Sequence, residues 1–204
     1  MAIEQLLSLV GFILVMVGTP GPNNIMLMAS GVKFGIRRSI PHLLGIAFGC
    51  QLLIVAAAFG LGRLLALYPG SVTLLQWVSA LFLCYLAWVL VGKTSGANVS
   101  KQASHPIRFW QSTLFQWVNP KAWMICIALV STYTQPARLI ETTAWISLIF
   151  LLVGTPMMIV WNVSGMALKD WLQQGRRLLW FNRVMAVLLL ASLLQIVPLM
   201  SMKV

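Results

Sequence analysis

The sequence predicts an all-α integral membrane protein of six transmembrane helices, built as a 3+3 inverted repeat with broken first and fourth helices. Three observations predict it. The 204 residues are 60% hydrophobic and only 8% charged, whereas soluble domains carry about 25% charged residues. Long apolar runs alternate with short connectors that hold most of the basic residues, the pattern of membrane spans and their flanks. Two of the apolar runs are interrupted, at Thr19-Pro20-Gly21-Pro22-Asn23-Asn24 and at Asn119-Pro120-Lys121. Proline removes a backbone donor and clashes one turn back, and glycine admits unusual backbone angles, so neither run continues as one clean helix.

The first span extends from Ile3 to about Val32. A straight helix over that range would be roughly 45 Å long, against about 30 Å of hydrocarbon. A break at Pro20-Gly21-Pro22 resolves the mismatch. Gly31 and Gly35 mark the exit, followed by Arg37 and Arg38. The second span runs from about Ser39 to Leu67, with Pro41 expected in its first turn, where a missing donor costs little. Gly45 and Gly49 are spaced by four, as are Ala56 and Gly60, and small residues on one face allow close helix contact in lipid. His42 and Gln51 are its polar exceptions. Tyr68-Pro69-Gly70-Ser71 forms a turn, and the third span follows from Val72 to about Val91 with Trp77, Tyr85 and Trp88 to anchor or pack.

The longest polar loop, Gly92 to Pro106, divides a first three-helix half (1–92) from a second (108–204) by a connector at 93–107. His105 in that loop is expected to face solvent. The fourth span starts near Arg108 and ends near Ser131, with Asn119-Pro120-Lys121 at its middle. A lysine near the bilayer centre is costly unless it is paired, hydrated or able to reach an interface. Lys121 is therefore either part of a solute pathway or the edge of a span that starts later. The fifth span, about Leu139 to Ala167, is interrupted by Gly154-Thr155-Pro156 and carries Asn162 near its end. The sixth runs from about Leu178 to Met200, with Gln195 as its lone central-to-late polar side chain.

The formal charge is +11, but the bases lie between apolar runs and no basic-aromatic face exists, so a nucleic-acid partner is excluded. The N-terminus lacks a basic leader and has Glu4 instead, which predicts that Met1 to Val17 belongs to the mature protein. Cys50, Cys84 and Cys126 lie inside apolar runs at spacings that form no metal pattern, and buried, inert thiols without a disulfide are expected. No HExxH, GxSxG or P-loop pattern occurs, which argues against an enzyme and against an ATP-driven pump acting alone. No cofactor is expected.

Connectors one, three and five hold Lys33, Arg37 and Arg38; Lys93, Lys101 and Arg108; and Lys169, Arg176, Arg177 and Arg183. Connectors two and four have only Arg63 and Arg138 nearby. The positive-inside rule places the first group in the cytoplasm and both termini on the periplasmic or extracellular side. Each half then opens with an interrupted span, and paired interruptions point to a binding site at an inverted-repeat interface.

Pro20-Gly21-Pro22-Asn23, the later Gly31 and Gly35, the Gly45/Gly49 pair and Asn119-Pro120-Lys121 together resemble the LysE/RhtB family of amino-acid exporters. The resemblance covers nearly the whole chain. It implies a bacterial inner-membrane protein that exports small amino acids or related metabolites by secondary transport, with protons as the coupling ion. Within the family the chain is similar to the neutral branch of homoserine, threonine, leucine and cysteine exporters. Its second span contains no carboxylate, and Glu4, Glu141 and Asp170 lie at predicted membrane edges. A basic substrate would leave its side-chain charge uncompensated. A small-solute channel and a purely structural membrane protein are the rival readings, and a homo-oligomer stays open.

The candidate substrate site comprises Pro20, Gly21, Pro22, Asn23, Asn24, Asn119, Pro120 and Lys121. Lys121 and the free amides of a broken helix start would receive a substrate carboxylate. Asn23 and Asn119 would offer amide donors and carbonyl acceptors. The alternative is that the asparagines only satisfy backbone groups at the breaks. His42, by its intrinsic pKa, and Lys121 are the candidates for proton coupling. Gly45, Gly49, Ala56 and Gly60 are assigned to helix packing.

Overall fold

The computed structural model describes residues 2–61, 67–92, 105–172 and 174–191. The described chain is all α. Its elements are α1 (Ile3–Gly18), α2 (Pro22–Ala56), α3 (Pro69–Gly92), α4 (Phe109–Val118), α5 (Pro120–Tyr133), α6 (Leu139–Ile149), α7 (Thr155–Leu172) and α8 (Arg177–Ala191), with π turns at Ala57–Leu61 and Phe150–Gly154. Among the described residues, two helical stretches, Pro22–Leu61 and Pro136–Leu172, contain apolar runs long enough to cross a membrane. Most of the connector 93–107, the end of the sixth span and Gln195 lie outside the described residues.

Both expected breaks are present. Helix α1 ends at Gly18, residues 19–21 are extended, and α2 begins at Pro22, where a first-turn proline forfeits no helical bond. The second break is tighter. Only Asn119 leaves the helical region, between the end of α4 and Pro120 at the start of α5.

Helix α2 is two limbs, 22–34 and 36–56, meeting at Gly35. Gly35 has φ 73°, a left-handed conformation that L side chains adopt only with strain. The turn is sharp. In a straight helix residues 30 and 39 would be roughly 13.5 Å apart, yet the Ser30 and Ser39 hydroxyls lie 2.7 Å from each other. Ser39 also reaches back to the Gly35 carbonyl at 2.8 Å. Pro41 sits past the first turn of the second limb, not in it.

Side-chain pairs fix the relative directions of the helices. The Ser8 hydroxyl meets the Tyr133 hydroxyl at 2.8 Å, and Lys121 reaches Thr19, so α1 and α5 run antiparallel. A Cβ on Gly49 would lie 2.9 Å from the Thr113 carbonyl, and one on Gly45 would collide with the Phe109 carbonyl. The second limb of α2 and α4 therefore run side by side in the same sense, with glycines admitting backbone-to-backbone approach. Thr113 donates from its hydroxyl to the Gly45 carbonyl at 3.1 Å across that seam. The first limb crosses α7 just as closely. A Cβ on Gly31 would strike the Asn162 carbonyl, and one on Gly165 the Met28 carbonyl.

The main core joins Leu9, Ile13 and Val17 of α1 to Leu27, Ile46 and Leu53 of α2, Ile125 and Leu129 of α5, and Ile146 and Phe150. A second cluster holds α3 to α8 through Leu83, Ala87, Ala186 and Leu189, and meets the rest at Ile25. Large apolar side chains cover the outside as well. Leu81 is 68% exposed and Leu114 66% exposed, which suits a surface facing lipid.

Three expectations need correction. The fifth span is not interrupted at Gly154-Thr155-Pro156: the chain passes through the π turn Phe150–Gly154 and stays helical from Leu139 to Leu172. A widened turn releases the carbonyl that a mid-helix proline would otherwise clash with. Gly60 shows no packing role among the described residues, where a Cβ on it meets nothing within 4 Å. It serves a backbone with φ 106°, while Ala56 is half-buried at the end of α2. Cys84 is exposed, unlike the buried Cys50 and Cys126.

Candidate functional site

The two breaks meet at one place. Gly21, Pro22, Asn23, Asn24, Asn119 and Lys121 line a single small cavity, together with Cys50, Cys126, Phe150 and Met158. Its volume is about 30 Å³, enough to admit water. No Asp or Glu is among its lining residues.

Lys121 organises the cavity. Lys121 is 7% exposed, so its charge is held inside the protein. Lys121 stands in the first turn of α5, the positive end of that helix, which disfavours a cation. Its ammonium instead reaches the end of α1. It donates to the Thr19 carbonyl at 2.6 Å, the Thr19 hydroxyl at 2.8 Å and the Pro20 carbonyl at 3.2 Å. A lysine has three donors, and these acceptors match them. The carbonyl end of a helix carries partial negative charge, so the contact is electrostatic as well as directional. Gly21 makes it feasible: a Cβ there would sit 2.7 Å from Lys121 Cδ.

Asn24 completes the same helix end. Its Nδ2 donates to the Val17 carbonyl at 2.7 Å and to the Thr19 carbonyl at 2.8 Å. Asn119 serves its own break, where Oδ1 accepts from the Lys121 backbone amide at 3.2 Å, an N-cap bond. Asn23 is different. It pairs with Gln116 in both directions, Asn23 Nδ2 to Gln116 Oε1 at 2.8 Å and Gln116 Nε2 to Asn23 Oδ1 at 3.1 Å. That amide pair ties the first limb of α2 to α4 beside the cavity. Pro20 contributes its carbonyl, and Pro120 sets the start of α5.

Sequence reasoning missed Gln116 and the part played by Thr19. Ser112, Thr113 and Gln116 form a polar stripe at helical spacing inside an apolar run, a signal that could have flagged Gln116. His42 does not line the cavity. It is fully buried in the second limb of α2, and neither ring nitrogen has a hydrogen-bond partner among the described residues. A second crevice, of about 330 Å³, opens where Glu4, Gln5 and Ser8 of α1 face Tyr133 and Gln135. No group of His, Cys, Asp and Glu able to hold a metal occurs among the described residues.

Comparison with known proteins bears on what this cavity serves. A cysteine/O-acetylserine efflux protein of Escherichia coli O139:H28 (strain E24377A / ETEC) is 31% identical over 176 residues, covering 84% of this chain and 87% of the relative. Proteins of the same description from Escherichia coli (strain K12) and Shigella flexneri serotype 5b (strain 8401) are 31% identical over 175 residues, covering 84% of this chain and 86% of each relative. No solved structure matches. The family model described as LysE type translocator matches residues 14–196, and the chain belongs to that family.

Proposed function

We propose that this translocator exports a small neutral amino acid or related metabolite from the bacterial cytoplasm across the inner membrane, by secondary transport coupled to protons. The observation that carries the reading is the central cavity. It combines one cation with amide and carbonyl groups and has no carboxylate in its lining. A neutral amino acid brings one carboxylate and one ammonium, and each needs a partner in a low-dielectric passage. A basic amino acid would bring a further positive charge beside Lys121 with nothing to offset it. The names of the relatives, which concern cysteine and O-acetylserine, agree with a neutral substrate.

Six spans in two three-helix halves fit the observed directions: α1 antiparallel to α5, and the second limb of α2 alongside α4. The basic connectors place both termini outside the cytoplasm. Lys121 recognises the substrate carboxylate, and Asn23 and Asn119 supply amide and carbonyl groups around it. The proton is carried by His42 or by Lys121.

Amino-acid counterflow in proteoliposomes tests the reading, with serine, homoserine, O-acetylserine and lysine as the panel. Saturable exchange of the neutral compounds that responds to an imposed proton gradient is expected, with lysine excluded. Flux that does not saturate and shows no exchange would identify a channel instead.

A further inference from the structure

The contact that closes the central cavity has the chemistry of a substrate half. The Lys121 ammonium is a primary ammonium held by three acceptors at the end of α1, at 2.6 to 3.2 Å. The α-ammonium of an amino acid is the same chemical group with the same three donors. The cavity beside it is about 30 Å³, with room for water. An amino acid entering it meets Lys121 and the α1 end already bonded to each other.

We infer that the α1 end, Thr19 with the Pro20 carbonyl, is the subsite for the substrate ammonium. A zwitterion opens the cavity by replacing Lys121 there while its carboxylate takes the freed Lys121 ammonium. The inference rests on the amino-acid reading above and deepens it.

Separating Lys121 from Thr19 with nothing in return leaves a buried ammonium without acceptors, which is costly, and takes a donor from the part-buried Thr19 hydroxyl and Pro20 carbonyl. A simple amine would satisfy the carbonyls and strand Lys121 beside a second cation. A simple carboxylate would satisfy Lys121 and give nothing to the Thr19 hydroxyl and the Pro20 carbonyl. A zwitterion satisfies both halves at once, so selectivity for it follows from the exchange itself. The surroundings suit such an exchange. Gly21 presents no side chain against Lys121 Cδ, which leaves the lysine stem room to swing. Asn24 holds the Val17 and Thr19 carbonyls independently of Lys121, so the α1 end stays formed when the lysine leaves. The Asn23–Gln116 pair spans the break on the other side and keeps the first limb of α2 in place.

Two native cysteines report on the opening. Cys50 and Cys126 line the cavity and are buried, and Cys84 is exposed away from it. In a Cys84→Ala background, in nanodiscs so that both faces are accessible, the rate of reaction of Cys50 and Cys126 with a small cationic methanethiosulfonate reagent measures access. Serine, homoserine and O-acetylserine are each added, with propylamine and propionate as one-ended controls. At least one zwitterion should speed labelling about tenfold, the worth of one hydrogen bond to a charged group, and neither control should. Lys121→Met should label about tenfold faster with no ligand and lose the response to the zwitterion. Thr19→Val, which keeps the side-chain shape and the carbonyl, removes one of the three acceptors and should give a rise of at most about tenfold by the same scale.

Equal acceleration by propylamine, no response to any zwitterion, or a Lys121→Met protein that labels at the rate of its parent while remaining monodisperse would overturn the exchange. Counterflow separates this result from the exporter reading. Neutral amino-acid exchange together with unchanged labelling in Lys121→Met overturns the exchange alone. No exchange of any amino acid, with Lys121→Met opened, overturns the exporter reading and leaves the Lys121 closure standing.

Discussion

The two breaks use similar residues, proline beside asparagine, and satisfy their backbone groups in different ways. The second is local. Asn119 caps the helix that follows it through the Lys121 amide, and its own amide bonds to the Gln116 carbonyl at 3.2 Å. Trp123 closes over it from one turn on, its ring nitrogen donating to the Trp117 carbonyl at 2.9 Å. The first break is served from outside its own turn. The Val17, Thr19 and Pro20 carbonyls are covered by the side chains of Asn24 and Lys121. The Lys121 backbone completes the second break while its side chain completes the first. The difference is one of exchangeability. A locally capped break is rigid, and a break whose acceptors are met by a long side chain from another helix can trade that partner for a ligand.

Replacing Lys121 should separate the two breaks most. Lys121→Met leaves the backbone of the second break intact and strips the ammonium from the first. Loss of hydrogen bonds to a charged group costs about 1.5–3 kcal/mol each, so counterflow of the transported amino acid should fall about a hundredfold. Normal flux in a correctly inserted Lys121→Met protein would dissolve the comparison. Gly21→Val comes next. Its Cβ would occupy the space of Lys121 Cδ, at 2.7 Å, and overpacking of this kind costs about 1–3 kcal/mol. Flux should fall about tenfold while membrane insertion, read by expression and fractionation, is retained.

Asn24→Ala removes two donors from the α1 end and leaves one acceptor, Val17, without its side-chain partner. A loss of about 1–3 kcal/mol is expected, measured as a lower midpoint of thermal unfolding in detergent by tryptophan fluorescence. The smallest effect belongs to the second break. Asn119→Ala deletes an N-cap bond worth about 1 kcal/mol and one of the amides proposed around the substrate, and flux should fall by no more than about fivefold. If Asn119→Ala reduced flux as severely as Lys121→Met, the second break would be as much a part of the moving site as the first.

Elsewhere the same contrast between local and distant causes decides what could be read in advance. Gly45 and Gly49 stood out by spacing, and the close approach of α4 beside them follows from the absence of side chains. Gly60 stands at the same spacing from Ala56 and does something else, because it bends the backbone at φ 106°. A small residue marks either a close neighbour or an unusual backbone angle, and spacing alone does not separate them. Pro156 announced a break that the π turn at Phe150–Gly154 absorbs. His42 was legible as a polar exception, but its complete burial without a partner among the described residues was not.

By itself the sequence determined where two of the helices break. Pro20, Gly21, Pro22, Asn119 and Pro120 act through covalent geometry and through donors missing from their own turns, and those causes reach only a few residues. It also determined that the chain is apolar enough for lipid and that Lys121 needs a partner within it. Only the tertiary structure decided which partner. Lys121 meets residues 19 and 20, and Asn23 meets Gln116, each across about a hundred positions of chain. A lysine can satisfy its charge with any group its flexible stem can reach, and what lies within reach is fixed by the packing of Gly31 against α7 and of Gly45 against α4, not by its neighbours in sequence.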